Sequence, residues 1–341
     1  MATTRHPKLA RTLAIAGVAA CIVFAVFFVA ILYARKHAEP IVRARIIRTL
    51  ETRLHAHVQL EQVSVSVITG EVHVGGSGLR ITSESGHPLL AAKAFEFSTA
   101  LRGILGKKST PVKVQVQGLD IHIPAGPERE AASAPIRNSL RNSTQGTFRV
   151  VEVIATGSTL SIDRLDPSRA PLVFQIGRLR FIQSVPGQPF TYDAQLINPK
   201  PVGEIHSLGS FGPWNSQLPR NTPIAGNFTF TNADLSTING IRGHLQGQGS
   251  IAGTLGEITT DGATHIPDFG LDTGTTSVML DTTFHAIVDG TTGDVHLQPV
   301  NARLLNTNIF CSGKVVRVQG AGDRVVHGHD IALDTNIRGR V

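Results

Sequence analysis

Residues 241–255 read IRGHLQGQGSIAGTL. Odd positions hold Ile, Gly, Leu, Gly, Gly, Ile, Gly and Leu, and even positions hold Arg, His, Gln, Gln, Ser, Ala and Thr. A period of two held over this length is that of a β-strand, whose successive side chains point to opposite faces. One face is aliphatic and the other mostly polar, the signature of a sheet with one solvated side. Gly243, Gly247, Gly249 and Gly253 fall on the aliphatic face, where bulky side chains ordinarily fill the space. Either these glycines let the sheet bend sharply, or they leave room for something apolar to lie against it.

The same period extends outward in both directions. Val63, Val65 and Val67 alternate with Ser64 and Ser66, Thr69-Gly70 makes a turn, and Val72 and Val74 return. Val112, Val114 and Val116 alternate with Lys113 and Gln115; after Gly118 the series resumes out of phase at Leu119, Ile121 and Ile123, as in a strand carrying a glycine bulge. Strand-like pieces follow at 148–154, 160–162, 172–181, 278–288, 295–297 and 331–337, with a Gly-rich hairpin turn at 289–294. Residues 124–146 show no periodicity and are expected to be a loop or linker, and 198–223, dense in Pro and Gly, an irregular stretch whose Trp214 plugs the end of a core. The fold class is mainly β, and about fourteen strands at ~4.8 Å spacing would extend about 65 Å.

The N-terminal end is of another kind. Leu13 to Leu32 carries no charge over LAIAGVAACIVFAVFFVAIL, long enough at about 1.5 Å per residue for the ~30 Å core of a bilayer. Tyr33, Arg35 and Lys36 close it as interfacial residues do. A cleaved signal has an apolar region of only about 7–15 residues, so the reading is a transmembrane helix over 12–34 behind a short tail, 1–11. Charge counting leaves orientation open, because more basic residues follow the span than precede it while large domains translocate largely regardless of charge. Residues 38–55 form an amphipathic helix, with Pro40 in its first turn and Val42, Ile46, Leu50 and Leu54 on one face. Its Arg43, Arg45 and Arg48 either meet anionic headgroups or form a solvated face.

Of 341 residues, 41% are hydrophobic and 17% charged, which excludes a disordered or coiled-coil chain. The net charge of +7 is local: residues 1–60 hold nine Lys or Arg against Glu39 and Glu51, leaving residues 61–341 balanced. No basic stripe exists for nucleic acid. Cys21 and Cys311 have no plausible partner for a disulfide or CxxC site. There is no GxSxG, P-loop, GxGxxG or HExxH motif. The pairs His55/His57 and His327/His329, the latter beside Asp330, are chance pairs among 14 histidines rather than metal ligands. No enzyme, cofactor or metal is expected.

The anchor, the short helix, and then VQLEQVSVSVITGEVHVGGSGLRI and VKVQVQGLDIHIP resemble the N-terminal region of the AsmA-like family of Gram-negative bacteria (AsmA, TamB and YhdP type inner-membrane-anchored periplasmic proteins). NTPIAGNFTFTNADLSTINGIRGHLQGQGSIAGTLGEITTDGATHIPDF and FHAIVDGTTGDVHLQPVNARLL are similar to the repeated body of larger members. The resemblance carries no catalytic residue. It implies a single-pass inner-membrane anchor, a cytoplasmic tail over 1–11, a periplasmic body, and an elongated, twisted antiparallel β-sheet curled into a groove, with an AsmA-like β region over 56–123 and a β-groove body over 147–341 that stops just after an apparent strand. It also implies phospholipid transport between inner and outer membranes and a part in outer-membrane and cell-envelope biogenesis, with phospholipid acyl chains, the inner membrane and outer-membrane or envelope proteins as partners. On that reading Val63, Val65, Val67, Val112, Val114, Val116, Ile241, Leu245, Ile251 and Leu255 line the lipid groove; their alternation alone equally fits ordinary core. The rival reading is a scaffold for outer-membrane protein assembly that pairs its open sheet edge with a client strand.

Overall fold

The computed structural model describes residues 40, 42–44, 46–52, 56–83, 86–100, 110–124, 148–163, 170–185, 187–215, 217–290, 294–317 and 329–339. The tail at 1–11, the span at 12–34, nearly all of the linker at 124–146, and His55 and His327 lie outside them. No described helix is long and apolar enough to cross a membrane. Residues 40–52 are helical wherever described (α1). The rest is mainly β, a single seventeen-stranded sheet.

In chain order the strands are β1 (Ala56–Gln59), β2 (Gln62–Ile68), β3 (Glu71–Ser83), β4 (Pro88–Ala100), β5 (Thr110–Ile123) and β6 (Phe148–Ile162). Next come β7 (Leu172–Ile182), β8 (Phe190–Pro199), β9 (Val202–Phe211), β10 (Pro223–Asp234), β11 (Ile241–Arg242) and β12 (His244–Thr254). The series ends with β13 (Glu257–Leu271), β14 (Val278–Val288), β15 (Val295–Leu304), β16 (Thr307–Arg317) and β17 (His329–Gly339). Strands β2 to β10 pair in chain order, β10 then pairs with β12, and β12 to β17 again pair in order; β1 lies beside the far half of β3, and β11 beside the end of β13. The sheet is twisted and does not close.

Two expectations are corrected here. The sheet is mixed rather than antiparallel, because β5 and β6 run parallel, from Thr110↔Phe148 to Ile123↔Ile162. A parallel pair needs a connection long enough to return to the starting edge, and residues 124–147 supply that length. The stretch 198–223 is not irregular: it contains β9, fully paired with β8 and β10. Its prolines sit at the turns, including the cis bonds Lys200–Pro201 and Gly212–Pro213, where no ladder donor is required. Trp214 does sit at an end of the apolar face, stacked 6.2 Å from Phe211 and continuing a cluster of Phe181, Phe190 and Tyr192.

Register places the apolar residues of nearly all strands in line. One row runs Val65–Val74–Phe97–Val114–Val153–Phe181–Tyr192–Gly209–Gly226–Ile251–Thr260–Ala286–Leu297–Gly313, from β2 to β16 without a charged residue. A second line explains the out-of-phase step at Gly118. Gly78, Lys93, Gly118, Gly157 and Gly177 occupy the same rung of β3 to β7, between flanking pairs such as Ser77↔Ala94 and Leu79↔Ala92. Gly78, Gly118 and Gly157 have φ of 67°, 61° and 56°, left-handed values that glycine adopts without a Cβ penalty. At this rung the apolar parity of each strand switches, Val116 to Leu119 in β5 and Ile176 to Leu179 in β7. Because all five strands switch together, the same face of the sheet stays apolar on both sides of the line.

The glycines of the apolar face have a further explanation. A Cβ on Gly249 would lie 2.7 Å from the ring of Phe228, its cross-strand partner, and one on Gly262 2.5 Å from the ring of Phe284. Gly76 is covered in the same way by Phe95, and Gly209 by Tyr192. Each ring lies over the glycine of a neighbouring strand, so the vacancies expected at these positions are filled from the side. Gly243 and Gly253, with φ of 131° and 120°, serve the backbone instead.

This packing predicts a coupled pair. Gly262→Val should destabilise the sheet by about 1–3 kcal/mol through overpacking, and adding Phe284→Ala should recover at least about 1 kcal/mol of that loss. Urea unfolding of the four members of the cycle tests it; strictly additive effects would refute the ring-over-glycine account.

Candidate functional site

Helix α1 begins at Pro40 and turns Val42, Ile46 and Leu50 toward the apolar face of β3–β5. Two bonds pin it. The Arg43 guanidinium donates through Nε to the Leu60 carbonyl at 2.7 Å, and the Val58 amide donates to Glu51 Oε1 at 3.4 Å. Along one flank Ile46 and Ile47 pack on a core of Leu60, Val63 and Phe95; along the other, Ile47 and Leu50 pack on Ala56, Val58 and Ile81. Between α1 and the sheet remains a cavity of about 830 Å³, within the ~300–1,000 Å³ that holds a drug-sized ligand. Its walls are Val42, Ile46 and Leu50 from the helix, Val72, Val74, Leu79 and Ile81 from β3, Leu90, Ala92, Phe95 and Phe97 from β4, and Val112, Val116 and Leu119 from β5, with Val150 of β6 beside them. Among the described residues, Thr49 and Thr99 are the only polar ones in the lining and none in it is charged. Such a space has dispersion and desolvation to offer a ligand and almost no hydrogen bonds.

Six of the residues read from sequence gather here. Val112 and Val116 line the cavity. Val114 shares their face opposite Phe97, and Val65 and Val67 stand opposite Val74 and Val72. Val63 is fixed in the core beside Phe95. The other four lie far along the sheet. Ile251 continues the same apolar row between Gly226 and Thr260, and Leu245 stands at the start of β12 opposite Ala233. Ile241 pairs with Leu271 in the short β11. Leu255 stands in the turn after β12, where its amide donates to the Thr222 carbonyl, so the strand period read through 241–255 stops one residue before it.

Sequence reading missed Phe95 and Phe97, although Phe-Glu-Phe carries the same period of two. It also missed Leu90 and Ala92, hidden in the unbroken run Leu89–Ala92. Beyond the cavity, from β6 to β16, the closest backbone contacts between described elements are almost all between neighbours within the sheet. Polar groups on that face are satisfied locally, Tyr192 Oη with Ser207 Oγ at 3.1 Å and Thr264 with Thr282 at 2.6 Å.

The opposite face is held by histidine–carboxylate pairs across strands, including His73–Glu96, His206–Asp193, His265–Asp281 and His285–Asp261, at 2.6 to 2.9 Å. No described cluster of His, Cys, Asp and Glu is arranged to hold a metal. Compared with protein-family models, curated proteins and solved structures, the chain matches none of them.

One pair gives a pH prediction. Asp268 accepts from both the backbone amide and Nδ1 of His244 at 2.7 Å. The side-chain hydrogen bond to Asp268, then its charge, raises the His244 pKa above 6.5; the amide bond, then the imidazole, lowers that of Asp268 below 3.8. The His244 contribution to stability is complete below pH 6.5 and is lost as pH rises through the raised value. The Asp268 contribution is complete above pH 3.8 and is lost as pH falls through the lowered one. NMR titration should place the His244 midpoint above 6.5, and Asp268→Asn should return it to the ordinary value; an unchanged midpoint would refute the pairing.

Proposed function

We propose that this chain is a non-enzymatic, single-pass inner-membrane protein whose periplasmic sheet offers an apolar groove to phospholipid acyl chains, serving phospholipid transport between inner and outer membranes and envelope biogenesis. The observation that carries the reading is the apolar row from β2 to β16, which holds no charged residue and is deepened under α1 into a cavity of about 830 Å³. An acyl chain laid on it gains about 0.8 kcal/mol per buried methylene. The row repeats nearly the same chemistry from strand to strand, so neighbouring positions hold a chain about equally well and movement along it meets low barriers. The span at 12–34 would place α1 and its cavity next to the bilayer, where a lipid enters.

A second reading rests on the sheet edge. Among the described residues β2 pairs only with β3, and its Val67 and Ile68 are 58% and 55% exposed, the kind of edge that accepts another strand. A scaffold for outer-membrane protein assembly would use it. Proline at Val67 would then abolish function while charge in the groove would not.

Site-specific photo-crosslinking in cells separates the two. A photoreactive residue at Val74, Val116 or Ile251 of the full chain should capture phospholipid, and one at Gln115 on the polar face should not. Ile251→Glu or Leu245→Glu should lower lipid capture with the fold retained by circular dichroism. Absence of lipid at all three apolar positions would overturn the groove reading.

A further inference from the structure

The polar face carries a feature that lipid handling does not use. Across β10, β12, β13, β14, β15 and β16 it sinks into an open trough of about 750 Å³. Its floor is ordered by register: Gln248, Ala263, Thr283, Asn301 and Phe310 stand in one row, and Gln246, His265, Asp281, Arg303 and Asn308 in the row beside it. We propose that this trough binds an uncharged oligosaccharide laid across the strands.

Three observations carry the assignment. First, the side chains of Gln246, Gln248, Thr283, Asn301 and Asn308 make no hydrogen bond to another described protein group. Each amide offers both donor and acceptor, the combination a hydroxyl- or acetamido-bearing ring requires. Second, Phe310 is 41% exposed and stands next to Asn301, with Thr283 on the following strand of the same row. An exposed ring there supplies the flat apolar surface on which the C–H face of a sugar stacks, with the amides at its rim. Third, the charges cancel. Asp281 is bound to His265 at 2.6 Å and stands opposite Arg303, so the trough has no net field to draw a polyanion such as nucleic acid or a phosphorylated chain. Geometry agrees with chemistry: strands repeat every ~4.8 Å, about the advance of one ring in a pyranose chain, so a chain crossing the strands passes one strand per sugar and meets Gln248, then Thr283 and Asn301 beyond the small Ala263. The trough lies on the face opposite the apolar row, and binding there is independent of lipid.

The test is calorimetric titration of the full chain, held in a detergent without a sugar headgroup, with the hexamers of N-acetylglucosamine and of glucose as probes. Saturable binding of either is expected. Asn301→Ala should weaken it about fivefold, as for loss of one hydrogen bond, and Phe310→Ala about tenfold, as for loss of stacking. Gln195→Ala, on the same face but outside the trough, should leave affinity unchanged. Circular dichroism confirms that each variant is folded. No heat of binding with either hexamer at millimolar concentration would overturn the proposal. So would equal weakening by Gln195→Ala and Asn301→Ala.

Discussion

Everything in this structure depends on keeping one face of a very wide sheet apolar from strand to strand. In a two-layer domain, side chains from a second layer fill the space above the first. Here the described helix, α1, packs at one end of the sheet, on residues of β1 to β5, and the apolar row continues well beyond it to β16. Two devices make this tenable. The register holds an uncharged row in line across the strands, so each aliphatic side chain is half-buried against neighbours to either side. Aromatic rings lie down over cross-strand glycines, as Phe228 does over Gly249, spending their surface on the sheet rather than on water.

The glycine line through β3–β7 solves a problem of parity. A strand that switches phase alone presents its apolar residues to the wrong side from that point on. When adjacent strands switch at one rung, the face is preserved and the one-to-one register is kept. The register shift between β7 and β8, at Ile176/Arg178, ends the line, and β8 keeps a single phase throughout. On the polar face, cross-strand histidine–carboxylate pairs and free amides take the place of a second layer's contacts. The two faces thus offer different chemistry to different ligands.

Much of this was readable in sequence because a period of two is local. Val63 to Val67, Val112 to Val116 and 241–255 each announce a strand with one apolar side. The change of phase at Gly118 was legible from the same residues, because the parity of the valines and isoleucines changes across it, but it is not the expected bulge: Gly118 stands one-to-one opposite Lys93, with no register shift. The helical face of Val42, Ile46 and Leu50 was legible from a spacing of four. Leu89 to Ala92 was not, since a continuous apolar run has no period, and β9 was masked by its own Gly203 and Gly209 and by the prolines on either side of it.

The sequence by itself determined that the described chain is mainly β, which side of most strands is apolar, and where Gly118 breaks phase, because these follow from side-chain alternation within one segment. Only the tertiary structure decided that β5 and β6 run parallel, that the rings of Phe228, Phe284 and Phe95 occupy the glycine vacancies, and that α1 roofs a cavity over β3–β5. It likewise decided that Thr283, Asn301 and Phe310 stand side by side, with Gln248 in the same row beyond Ala263. Those facts depend on which strand lies next to which and in what register, a matter of long-range pairing that no local period contains.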